Sequence, residues 1–124
     1  MRRVCLALDF PKWAEAIDFI DARDLYSELA AVKVGLELFM SSPRTKINGF
    51  HELNDRGLPI VLDLKLHDIP ETVERAVKVG GDLGAHLMTL HVQQRAALER
   101  AVKAAEPYGI QLLGVTVLTS MGDG

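Results

Sequence analysis

The chain has 124 residues, 48% of them hydrophobic and 25% charged, which is enough apolar material for one soluble globular domain. Fourteen Lys and Arg against seventeen Asp and Glu leave a net charge of -3, with no basic cluster longer than Arg2-Arg3. This argues against nucleic acid as a partner and points to a small molecule as the carrier of any phosphate that is bound. The single cysteine, Cys5, cannot form an internal disulfide; in an apolar strand it reads as a small buried hydrophobe and fits a reducing, cytoplasmic compartment.

At the N-terminus, the apolar run Val4 to Leu8 is cut by Asp9, too soon for the core of a signal peptide. The longest uncharged stretch, Pro107 to Gly122, is polar in places and shorter than the about 20 residues that cross a membrane. We therefore expect a soluble, unprocessed chain with no membrane partner.

Taken in chain order, the expected strands are Val4 to Asp9, Ala31 to Val34, Pro59 to Leu64, His86 to Val92 and Ile110 to Leu118. Most are nearly continuous in Val, Leu and Ile, as suits a parallel sheet covered on both faces. Helical spacing lies between them: Trp13, Ala16, Ile17 and Ile20, then Val73, Ala76, Val77 and Gly80, then Leu98, Ala101, Val102 and Ala105. From Ser41 to Arg56 the pattern is broken by Pro43, Asn48 and Gly49, yet Ile47, Phe50 and Leu53 still favour a helix starting near Pro43. Pro11 and Pro70 are placed for first helical turns, Gly57 and Gly109 for left-handed caps.

This alternation requires parallel strands joined by right-handed crossovers, in an open doubly wound sheet or a (β/α)8 barrel. No G-x-G-x-x-G follows the first strand, so dinucleotide binding is not expected. Asp9, Lys33, Asp63, His91 and Thr119 each fall at or near the C-terminal end of a different strand, where barrel enzymes place their reacting groups.

Asp63 and Lys65 are two apart, so a regular strand would send both side chains to one face, which in a barrel is the mouth. Such a pair also suits a structural ion pair at a strand end, with Asp68 merely favouring the next helix through its dipole. Lys33 weighs against that plain reading. It is the lone charge in Ala31-Val32-Lys33-Val34-Gly35, and an ammonium there needs a partner, for which Asp63 on the following strand is the natural candidate. With Lys65 and Asp68 the set becomes an alternating Lys-Asp-Lys-Asp array, whose lysines are poised to protonate a carbanion. His67, Asp68 and His91 lack a dedicated metal-ligand spacing, and no metal is expected. Trp13, Phe19 and Phe39 read as packing.

The decapeptide Asp63-Leu64-Lys65-Leu66-His67-Asp68-Ile69-Pro70-Glu71-Thr72 resembles the signature of the orotidine 5′-monophosphate decarboxylase family. Ala7-Leu8-Asp9, Val32-Lys33-Val34-Gly35 and Val115 to Met121 match in register, so the resemblance covers the whole chain. It implies a (β/α)8 TIM barrel, of which residues 1–124 form the N-terminal part of a single domain, about five β/α units. It also implies a homodimer with shared active sites, no cofactor, and conversion of orotidine 5′-monophosphate to UMP in pyrimidine biosynthesis. Residue by residue, the resemblance makes Lys65 the proton donor to C6 and sets Asp63 beside the substrate carboxylate, with Lys33 and Asp63 orienting Lys65. Asp68, Ile69 and Thr72 would reach the partner subunit's site near the ribose. Asp9 would bind a ribose hydroxyl and Thr119 the pyrimidine.

Such a barrel needs about 250 residues, and these 124 end after the fifth strand. The family's remaining strands carry its phosphate grip, so these residues alone are expected to be inactive. The segment Ser41 to Lys46 also departs from the family's wording. Two alternatives stay open: a Mg²⁺-dependent sugar-phosphate decarboxylase or aldolase of the related barrel family, against which Ile69-Pro70-x-Thr72 argues, and an inactive half-barrel.

Overall fold

A computed structural model describes residues 2–41 and 43–116, with residues 43–48 described as backbone only. Five strands, β1 (Val4–Ala7), β2 (Leu29–Val34), β3 (Ile60–Leu66), β4 (Leu87–His91) and β5 (Gln111–Val115), alternate with helices α1 (Trp13–Arg23), α2 (Leu36–Phe39), α3 (Pro43–Asp55), α4 (Pro70–Leu83) and α5 (Arg95–Ala105). All neighbouring strands are parallel, and the order in the sheet is β1-β2-β3-β4-β5.

That order separates the two architectures left open by the sequence. A doubly wound sheet reverses its strand order at a switch point, whereas here each strand adds to the same side of the last. Right-handed crossovers stepping in one direction place every helix on one face of the sheet, which is the arrangement of a (β/α)8 barrel. In agreement, α1 packs on α3 and α4 on α5.

Strand alternation sorts the side chains. Val32 and Val34 of β2, Ile60 and Leu62 of β3, and Met88 and Leu90 of β4 are buried in the helix-side core, with Leu38, Phe50, Leu53, Val73, Val77 and Ala101. The residues between them, Lys33, Val61, Asp63 and Thr89, face the other way, into what is the barrel interior. Helix α1 buries Trp13, Ala16, Ile17 and Ile20, the four positions picked out by spacing, and α4 buries Val73, Val77 and Gly80.

Several expectations need correction. Pro11 precedes the N-cap Lys12 and lies outside α1, while Pro70 does open α4. Helix α5 buries the expected Ala101 and Ala105 together with Ala97 and Ala104, keeps Leu98 partly buried against the core, and leaves only Val102 of the expected set exposed, at 45%. Cys5 is exposed, because β1 is an edge strand with a neighbour on one side only among the described residues. The one-turn helix α2 carried no signal. The last three residues expected in the fifth strand reach beyond β5, and two of them, Val117 and Leu118, lie outside the described residues.

Helix α3 does start at Pro43 and runs through the Asn48-Gly49 pair that looked like a breaker. Gly49 is there for space: a Cβ on it would stand 2.2 Å from the Trp13 ring. The glycine lets α3 approach α1 closely enough for Trp13 and Phe50 to meet at 5.5 Å between ring centroids. Gly57 and Gly109 have φ of 71° and 68°, as their left-handed cap roles require.

Among the described residues β1 and β5 each pair on one side only, and Val4 and Leu113 on them are 50% and 55% exposed. Unpaired edges beside apolar surface promote association. The polypeptide Met1–Gly124 expressed alone is therefore expected to sediment as dimers or larger species; a monodisperse monomer at tens of micromolar would contradict this.

Candidate active site

The site grows from the register of three strands. Val61 pairs with Leu87 and Leu62 with Met88, which sets Asp63 level with Thr89 on the inner face. The next pairing is Leu66 with Leu90, four residues on from Leu62 in β3 but only two on from Met88 in β4. Strand β3 therefore bulges by two residues between these pairs, and within the bulge Lys65 takes φ of 50°, the left-handed region that side chains larger than glycine rarely occupy.

The bulge folds Lys65 back over Asp63. Its Nζ donates to Asp63 Oδ2 at 2.8 Å, and Lys33 Nζ from β2 lies 3.7 Å from the same oxygen. The second oxygen, Oδ1, accepts a 2.7 Å hydrogen bond from Thr89 Oγ1, while Thr89 Oγ1 accepts the backbone N–H of Lys65 at 2.9 Å. Thr89 is the buried polar side chain of the sheet, at 5% exposure. The Asp63 side chain is 12% exposed, Lys33 37% and Lys65 56%, so one carboxylate is sunk in the wall and two ammonium groups rise from it toward the mouth.

Three of the four residues in the expected array thus meet around one carboxylate. The route differs from the sequence argument: Asp63 and Lys65 converge through a bulge and a left-handed backbone, not through simple alternation. Lys33 is half-exposed, so avoiding a buried unpaired charge is not what fixes its pairing. Asp68 stands outside the cluster; its Oδ1 accepts the N–H of Ile69 at 2.7 Å, in the turn that leads into α4. Ile69, the N-cap of α4, is 59% exposed, and Thr72 is exposed with its N–H bonded to Ile69 O in the first turn. Asp9 is exposed two residues beyond β1. No hydrogen bond or ion pair joins these four residues to the cluster among the described residues, and Thr119 lies outside them.

Thr89 is not among the residues picked out from the sequence, and His91 is noted on this strand only for its place at the C-terminal end, without a role. His91 stacks on His67 at 4.6 Å between ring centroids, with its Nδ1 buried and without a hydrogen-bond partner among the described residues. The signal for Thr89 was present, since it is the lone hydroxyl in Leu87-Met88-Thr89-Leu90, much as Lys33 is the lone charge in its strand. No group of three or more metal-ligating side chains occurs among the described residues. Two cavities, about 340 Å³ against α4 and α5 and about 360 Å³ at the N-terminal ends of the strands, lie away from the cluster; the chemistry of the side chains marks the site.

Burial pushes the Asp63 carboxyl up, but hydrogen bonds from Lys65 and Thr89 and the charges of Lys65 and Lys33 outweigh it and hold the group below the ordinary aspartate range. It is ionised at neutral pH. A folded-state value below the unfolded one of about 3.9 contributes stability that is fully present above the unfolded value and is lost as pH falls through the folded one. Denaturant unfolding between pH 5 and pH 2 is expected to show a steeper acid loss for the wild type than for Asp63→Asn; parallel curves would contradict the assignment.

The cluster is an ammonium on β2 beside a carboxylate and a second ammonium on β3 of a barrel sheet, and the family model described as orotidine 5′-phosphate decarboxylase / HUMPS matches residues 2–124. The chain belongs to that family. Among curated relatives, the orotidine 5′-phosphate decarboxylase of Anaeromyxobacter dehalogenans is 47% identical over 120 residues, 96% of this chain and 50% of its own. That of Haemophilus influenzae is 43% identical over 125 residues, covering 98% and 52%. The chain spans about half the length of these relatives. In solved structures, the orotidine 5′-phosphate decarboxylase of Lactobacillus acidophilus superposes with a TM-score of 0.75 at 33% identity, over 97% of this chain and 55% of that one. An uncharacterized conserved protein from Geobacillus kaustophilus gives 0.77 at 34% identity, over 94% and 55%. Within the orotidine 5′-phosphate decarboxylase / HUMPS family, both of these curated relatives carry the first of its two names.

Proposed function

We propose that this chain supplies the lysine-aspartate part of an active site that decarboxylates orotidine 5′-phosphate to UMP. The observation that carries the reading is the Lys33-Asp63-Lys65 cluster inside a decarboxylase-family barrel sheet. The bond from C6 to the carboxylate carbon breaks, CO₂ leaves, and the electron pair stays at C6. Lys65 faces that pair as an ammonium and gives it a proton, after which the neutral amine recovers one from solvent. Asp63, fixed in the wall, aims Lys65, and Lys33 adds a second positive charge beside the same carboxylate. Fixed charges of this kind stabilise a developing carbanion without the reorganisation that water would need.

In this reading Asp9 binds a ribose hydroxyl, Thr119 contacts the pyrimidine, and Asp68, Ile69 and Thr72 serve the ribose end of a neighbouring subunit's site in a homodimer. The exposure of Ile69 and Thr72 and the separation of Asp68 from the cluster support that division of labour.

The test is ultraviolet-monitored turnover of orotidine 5′-phosphate by the full-length protein that carries this sequence, with and without EDTA. Turnover that survives EDTA is expected and excludes the Mg²⁺-dependent sugar-phosphate alternative; none at all would refute the reading. For the shared site, Asp68→Ala and Lys65→Ala proteins are each expected to be inactive and to regain activity on mixing, because one hybrid site keeps both residues. Verified heterodimers without rescue would refute sharing.

A further inference from the structure

We infer that Thr89 is a positioning residue that sets both partners of the reacting pair, a role that rests on the decarboxylase reading above. Its single hydroxyl has two jobs. As donor to Asp63 Oδ1 at 2.7 Å, it leaves Oδ2 as the oxygen that meets Lys65 at 2.8 Å and Lys33 at 3.7 Å. As acceptor for the Lys65 N–H at 2.9 Å, it satisfies the backbone where β3 has left its ladder to β4 and Lys65 stands at φ of 50°.

Both halves of this clamp answer a need the strand cannot meet alone. A two-residue bulge removes the regular β3-β4 hydrogen bonds, and an N–H left there without an acceptor would favour a return to ordinary strand geometry. In that geometry Lys65 would not be folded back onto Asp63. A carboxylate with one free oxygen could likewise rotate and share itself unevenly between two lysines. Thr89 prevents both movements from a position 5% exposed, where its own rotamer is fixed by packing on a rigid strand. The charged groups acting on Asp63 among the described residues are Lys65 on its own strand and Lys33 on β2, so Thr89 is the neutral member of its surroundings.

Thr89→Val keeps the shape and deletes the hydroxyl; Thr89→Ser keeps the hydroxyl and deletes the methyl. In the full-length protein that carries this sequence, with orotidine 5′-phosphate as substrate, Thr89→Val is expected to lose roughly 10- to 100-fold in kcat with little change in KM, as befits a misplaced reacting group. The acid limb of its kcat profile is expected to move to higher pH, because a donor to the carboxylate has gone. Thr89→Ser is expected to restore most of both. If Thr89→Val does not fold, Thr89→Cys, with a far weaker donor, takes its place. Wild-type kcat and an unmoved acid limb in the folded variant, or a serine variant no better than the valine one, would overturn the inference. A wild type that turns over nothing would remove the decarboxylase reading instead. The Asp63 carboxyl titration by ¹³C NMR then decides the clamp: an upward shift in Thr89→Val reversed in Thr89→Ser supports it, and an unmoved carboxyl overturns it.

Discussion

Lys65→Ala is expected to lower kcat by about 10³-fold or more while leaving the fold intact. The substitution removes a proton donor, a role worth roughly 10²- to 10⁴-fold, together with a fixed positive charge whose removal from comparable sites costs about 10²- to 10³-fold. The two effects come from one group and are not multiplied, which sets the expected loss at the smaller combined figure. Stability is expected to hold because the Lys65 side chain is 56% exposed, and an ion pair so open to water contributes less than about 1 kcal/mol. Steady-state turnover beside thermal unfolding separates the two effects. A variant that keeps a tenth of wild-type kcat would remove Lys65 from the chemistry, and one that unfolds would make Lys65 a structural residue.

Phe50→Ala is expected to have the opposite signature, a loss of about 3–5 kcal/mol in stability with the site chemistry untouched in whatever fraction stays folded. Phe50 has 0% exposure and meets Trp13 of α1 at 5.5 Å and Phe39 of α2 at 6.4 Å between ring centroids. It is the aromatic bolt between three helices, and α3 has only Phe50 and Leu53 among its described side chains fully buried in the core. Truncation leaves a cavity that Trp13 is poorly able to fill, since its ring already lies against Gly49. A loss of this size is a large part of the 5–15 kcal/mol by which a domain is stable. Urea unfolding of the full-length protein measures it; a change below about 1 kcal/mol would mean that the α1-α2-α3 junction repacks freely.

The elements and their order were legible because parallel strands covered by helices must be apolar throughout, and helices laid on them must repeat at 3.6 residues. Trp13, Ala16, Ile17 and Ile20 met that rule and are buried as a set. On α5 the same rule placed Ala101 and Ala105 in the core and missed at Val102, which is 45% exposed while Ala97 and Ala104 are buried. It also undervalued Gly49, whose meaning lies in a Trp13 ring 36 positions earlier in the chain. A charge inside an apolar run is conspicuous, so Lys33, Asp63 and Lys65 could be picked out from sequence alone, although Lys33 and Lys65 prove partly exposed and it is the fold that pairs them. What sequence could not supply was register. Whether Asp63 stands level with Thr89, and whether β3 bulges just beyond, depends on how two strands 24 residues apart slide against each other, which no local pattern encodes. The tertiary structure decided it, and with it the left-handed turn that brings Lys65 onto Asp63 and the hydroxyl that holds both.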